Sequence, residues 1–99
     1  MKDTWLRCTV TQGQFSDEFA VSGVAYDGEG FSLFACEDDV DVRNAPGEDE
    51  MVAGWIKVKV LKEEGDFALV RLPRQTMENG ATVTVRRGDL KVLPARQEA

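Results

Sequence analysis

Apolar side chains recur at every second position along most of this chain, and that period decides what it can fold into. Successive residues point to opposite faces only in an extended backbone. Leu6, Cys8 and Val10 share one parity against Trp5, Arg7, Thr9 and Thr11. Phe31, Leu33 and Ala35 oppose Ser32, Phe34 and Cys36, and Ile56, Val58 and Val60 alternate with Lys57 and Lys59. No stretch of ten or more residues carries the stripe of an amphipathic helix. The expected fold is all-β: a small, mostly antiparallel barrel or strongly curved sheet of six to seven short strands, closed so that few edges stay unpaired. Ninety-nine residues, 42% hydrophobic and 30% charged, suit one soluble globular domain over residues 1–99 with a single core. No internal repeat and no low-complexity tract is read from the letters.

The punctuation between the runs sets the order of strands. Gly13 ends or bends the first. Phe19 and Val21 lie on one parity and Val24 and Tyr26 on the other, so Gly23 between them reads as a β-bulge or a barrel corner. Asp27-Gly28-Glu29-Gly30 is a tight-turn sequence that makes residues 18–37 a β-hairpin. Residues 37–50 are dense in carboxylates and contain Pro46-Gly47, which predicts a solvated acidic loop. After the turn at 63–66, the apolar run 67–72 suits a central strand covered on both sides. Pro73 stops it, Asn79-Gly80 supplies a reversal, and residues 82–85 form another strand. A one-turn break at 87–90 precedes the final strand, and a flexible charged tail follows from about 94 to 99. In this order of strand, turn, strand, one-turn break and short last strand, residues 55–93 resemble the closing part of SH3-like small barrels. The resemblance implies a small barrel and carries over no functional residue.

Charge is split along the chain. Residues 1–50 hold twelve Asp and Glu against three Lys and Arg, a net of −9, and residues 51–99 hold six against nine, a net of +3. Such a chain either screens itself on folding or presents two faces of opposite potential. Histidine is absent, which removes Ser-His-Asp and Cys-His nucleophilic sites, His-containing zinc sites and a near-neutral imidazole. Cys8 and Cys36 occupy apolar positions in a chain without a secretory signal, and are expected as buried free thiols. No cofactor, no metal and no enzymatic activity is expected. No run approaches the roughly 18 apolar residues of a membrane span, and the default address is the cytoplasm.

Both tryptophans fall on the polar parity of their strands, Trp5 with Arg7 and Trp55 with Lys57 and Lys59. Aromatic surface beside cations grips partners; the plainer reading is that the cationic stems cover rings packed beneath them. The carboxylates Asp38, Asp39, Asp41, Glu48, Asp49 and Glu50 lack the EF-hand spacing and would steer a basic partner. The expected function is a non-catalytic protein-binding module, adaptor or inhibitor-like, that uses the Trp5 and Trp55 faces. Its partner would be another protein or a second copy, and no membrane. A first alternative is nucleic-acid binding through Arg71, Arg74, Arg86, Arg87 and the lysines of the Trp55 strand, opposed by a pI near 4.6. A second is a small ligand in a barrel cavity lined by Phe31, Phe34 and Phe67.

Overall fold

In the computed structural model, which describes residues 2–78 and 80–94, more than half of the backbone is in extended strands. Its strands are β1 (Lys2–Gln12), β2 (Glu18–Val24), β3 (Gly30–Cys36), β4 (Val40–Asp41), β5 (Val52–Glu64), β6 (Phe67–Arg71), β7 (Thr82–Arg86) and β8 (Leu90–Pro94). Single 3-10 turns, Glu37–Asp39 and Arg87–Asp89, lead into β4 and β8. The strands form one antiparallel, curled half-barrel in the order β3-β2-β1-β5-β6-β7, with β4 added to β5 and β8 to β1. The fold is therefore all-β as expected, with eight strands in place of six or seven. The extra one comes from the acidic segment, which is not wholly a solvated loop: Val40 is buried and Val42 packs on the core. The tail beyond Pro94 and Asn79 of the expected reversal lie outside the described residues. No helix among the described residues is long and apolar enough to cross a membrane.

The sheet consists of two equivalent halves, which corrects the reading of a chain without repeats. β1, β2, β3, a 3-10 turn and β4 recur in the same order as β5, β6, β7, a 3-10 turn and β8. Leu6 lies opposite Ile56 in the antiparallel β1–β5 pair, with Trp5 opposite Lys57 and Arg7 opposite Trp55. Adding fifty to one member and subtracting it from the other turns each of the flanking pairs into its counterpart, the mark of a pseudo-twofold axis between Leu6 and Ile56. The last strands are exchanged across this axis. Val40 and Asp41 lie against Ile56 and Trp55, and Leu90 and Lys91 lie against Leu6 and Trp5. Domain swapping produces such exchanges between protomers; here both halves belong to one chain. The inward row Val10, Val21, Leu33 likewise matches Val60, Val70, Val83.

Equivalent positions trade volume. Gly23 faces Phe31 in the β2–β3 hairpin, whose register runs unbroken from Glu18 to Val24. A Cβ on Gly23 would stand 2.5 Å from Phe31 Cζ, so this glycine seats the ring; it marks neither a bulge nor a corner. Val24 is simply on the outward face, 60% exposed. The matching pair in the second half is Leu72 and Ala81, joined by a 2.7 Å backbone hydrogen bond, where the larger side chain has changed strand. The bulge of this sheet falls instead in β5, where the register with β6 skips Leu61, shortly after the long strand passes from its β1 partner to its β6 partner between Val58 and Lys59. β6 itself buries only Ala68 and Val70, followed by Leu72, while Arg71 is exposed. It is thus covered by the core on one side, not on both.

The outer strands are held by each other's connections. The Tyr26 N–H, ahead of β3, donates to Thr84 O of β7, and the Met77 N–H, ahead of β7, donates to Ser32 O of β3, both at 2.8 Å. Glu78 completes the second clasp: its carboxylate accepts from Ser32 N at 2.8 Å and Ser32 Oγ at 2.9 Å. Edge groups that would otherwise invite pairing with another chain are covered in this way.

Candidate functional site

The two tryptophans do not form the open recognition face expected of them. Trp5 is 2% exposed, with Lys57 Nζ 5.6 Å from its ring, and offers no surface to a partner. Trp55 is half-buried, overlain by Arg7 at 5.5 Å and by Lys91 at 4.0 Å. Cross-strand register explains it: Trp5 is flanked by Lys57 and Lys91, and Trp55 by Arg7 and Asp41. Lys57 thus lies over Trp5 and Arg7 over Trp55, while Lys91, opposite Trp5 in register, reaches across β1 to cover Trp55. Lys57 also lies 3.9 Å from Asp3, and Lys59 stands apart from both rings, opposite Arg71 of β6.

The acidic residues separate into two groups. Asp38 is exposed and Asp39 partly buried in the turn before β4, and Asp41 is held in β4 opposite Trp55. Glu48, Asp49 and Glu50 lie exposed in the connection to β5, where the Glu50 carboxylate accepts from Gly47 N at 3.0 Å. Among the described residues no three acidic or cysteine side chains converge as a metal site would require. Nor do the three phenylalanines share a cavity. Phe31 is in the core, whereas Phe34 and Phe67 take the outward parity of different halves. A ligand chamber lined by all three is ruled out.

Cys8 and Cys36 are both free thiols, but only Cys8 is buried. Burial pushes the Cys8 thiol up from 9.0 to about 12. Cys36 sits half-exposed at the end of β3, where Arg74 Nη2 donates to its Sγ at 2.8 Å.

A surface that the sequence reading missed is the outward side of β1, β2 and β3. Its rows are Thr9, Ser22, Ser32 and Thr11, Ala20, Phe34, without a charge. Phe34 and the 61%-exposed Met77 help line a groove of about 230 Å³ there. The uncharged parity of residues 9–11, 20–24 and 32–36 was visible in the letters. Met77 was not, because the clasp that brings its segment to β3 joins residues 46 apart. Asp17, Glu18, Glu37 and Asp38 border the face at one end, with Asp17 O accepting from Glu37 N at 3.0 Å.

Comparison of the chain with models of protein families, with curated proteins and with solved structures finds no match.

Proposed function

We propose that this chain is a non-catalytic binding module of the SH3-like kind, working in the cytoplasm, which engages a different protein through the outward face of β1–β3. One observation carries the reading: in a chain with 30% charged residues, two full rows of that face have no charge, and Phe34 and Met77 line a groove on its β3 side. Interface cores are enriched in aromatics and Met, as Phe34 and Met77 are, and depleted in Lys, Glu and Asp as well as in Ser and Ala, so the two large side chains and the missing charges carry the reading rather than Ser22, Ser32 and Ala20. Exposed apolar surface, here Met77 beside Phe34, marks contact sites. The carboxylates at its end form a polar rim that steers a partner with basic flanks and contributes more to the rate of encounter than to its strength.

A photo-crosslinking residue in place of Met77 tests this in cells that express the chain. The expected product is an adduct with another protein, lost when Ser22→Arg places a cation on the face while the melting temperature stays the same. An adduct of two copies of the chain, no adduct, or one that survives Ser22→Arg would each contradict the proposal.

A further inference from the structure

The internal pseudo-symmetry supplies a control for every surface of the molecule, because each outward position of one half has a counterpart on the same backbone in the other. In the first half one row reads Thr9, Ser22, Ser32; its counterpart reads Lys59, Arg71, Thr82. The next row, Thr11, Ala20, Phe34, becomes Lys62, Leu69, Thr84, and the Glu18–Cys36 pair becomes Phe67–Arg86. Threonine opposite serine satisfies this scaffold, so the fold does not need lysine opposite arginine. Like charges directly across a strand pair destabilise it. Lys59 and Arg71 nevertheless face each other, and the ion pairs formed among the described residues, Lys57–Asp3 and Lys62–Glu64, include neither.

We propose that the outward face of β5–β6–β7 binds single-stranded nucleic acid, with phosphates held between Lys59 and Arg71 and bases against Tyr26 and Phe67. Lys59 and Arg71 line an open cleft of about 770 Å³ together with Lys2 and Lys57, against the two carboxylates of Asp3 and Asp39. Four residues further along β6, about 13 Å away, Phe67 meets the 39%-exposed Tyr26 edge-on at 5.5 Å. Arg86 lies 5.5 Å over the tyrosine ring. Arg86, Arg87, Asp66 and the side-chain-free Gly65 and Gly88 line a second open cleft of about 550 Å³ beside it, two cations against one carboxylate. Cations that track a backbone, interleaved with aromatic rings, are the two elements of single-strand recognition. A flexible strand follows a curled sheet, as a rigid duplex does not. The net charge of −6 does not forbid this. Of the acidic excess in residues 1–50, Asp3 and Asp39 reach the cleft, where four cations outnumber them, and screening acts on the more distant carboxylates over about 10 Å at 0.1 M salt.

Fluorescence anisotropy with labelled oligothymidylate, on the full chain at about 50 and about 200 mM salt, tests the assignment. Binding is expected at the lower salt. The double variant Lys59→Thr, Arg71→Ser installs the residues of the other half, which the scaffold accommodates. It should weaken binding at least tenfold and flatten the log–log salt slope by about 1.4, two phosphates at about 0.7 each. Tyr26→Ala should weaken binding about tenfold with the slope unchanged, because stacking releases no counterions. Arg43→Ser, in the first half, should leave it within about twofold. No binding at low salt, or equal binding by the double variant confirmed folded by its melting curve, overturns the proposal. So does duplex DNA or heparin competing better than the single strand, which would reveal a site for charge alone.

Discussion

Cys8 shows how one residue couples packing to pH. Its side chain belongs to the buried core of β1, and the position fifty residues on, Val58, fills the same inward place with a purely apolar group. Because its thiol is pushed from 9.0 to about 12 in the folded state, the native chain holds a proton that the unfolded chain releases. Stability therefore falls as pH rises between 9.0 and about 12, by up to about 1.4 kcal/mol per pH unit. Cys8→Val should remove this loss, seen as a shallower decline of urea midpoints from pH 9 to 10.5 than in the parent. In the native protein a thiol reagent at neutral pH should modify Cys36 alone, and reach Cys8 only on unfolding. Two fast-reacting thiols in the folded chain would refute the burial argument.

At the level of the elements, the strands that end the sheet depend on loops that are not strands. β3 is held at its outer edge by Met77 N–H and the Glu78 carboxylate. The hydrogen bonds from Ser32, the backbone N–H first and then the hydroxyl, hold the Glu78 carboxyl below its ordinary value of 4.5. The clasp is accordingly complete above that value and is lost as pH falls through the lowered one. Amide hydrogen exchange checks this: the Ser32 N–H should be protected at pH 6 and lose protection in acid, and Glu78→Ala should remove the protection at both pH values. The core amides of β1 should stay protected throughout, because β1 is paired along both sides by β2, β5 and β8.

For the whole molecule, reciprocal exchange of β4 and β8 means that neither half holds its own last strand. The β1–β5 ladder and both exchanged pairs cross the pseudo-twofold axis, and only the exposed residues around 47–50 join the halves covalently. Burying Leu6 and Ile56 at the axis, at 1% and 0% exposure, contributes about 1.5–3 kcal/mol each. A protease site inserted between Gly47 and Glu48 should yield a cut protein whose fragments co-elute and melt together, separating only in denaturant. Fragments that part under native conditions would show that the axis is weaker than its pairing implies.

The sequence by itself determined whatever depends on near neighbours: the extended backbone, the Asp27–Gly30 hairpin, the one-turn break before β8 and the split of charge along the chain. Alternation and turn chemistry act over two to four residues, so single letters carry them. The repeat escaped because an inward strand position accepts any apolar side chain; Cys8 and Val58, or Phe31 and Ala81, keep the place while the letter changes. The Leu61 bulge also raises the spacing to fifty-one, the shorter connection before β6 lowers it to forty-nine, and the longer one before β7 restores fifty. Only the tertiary structure decided that Trp5 is buried, that Gly23 seats Phe31, that Lys59 confronts Arg71 and that Met77 reaches Ser32. Each follows from which strand lies beside which, a choice made by contacts between residues 8 to 86 positions apart.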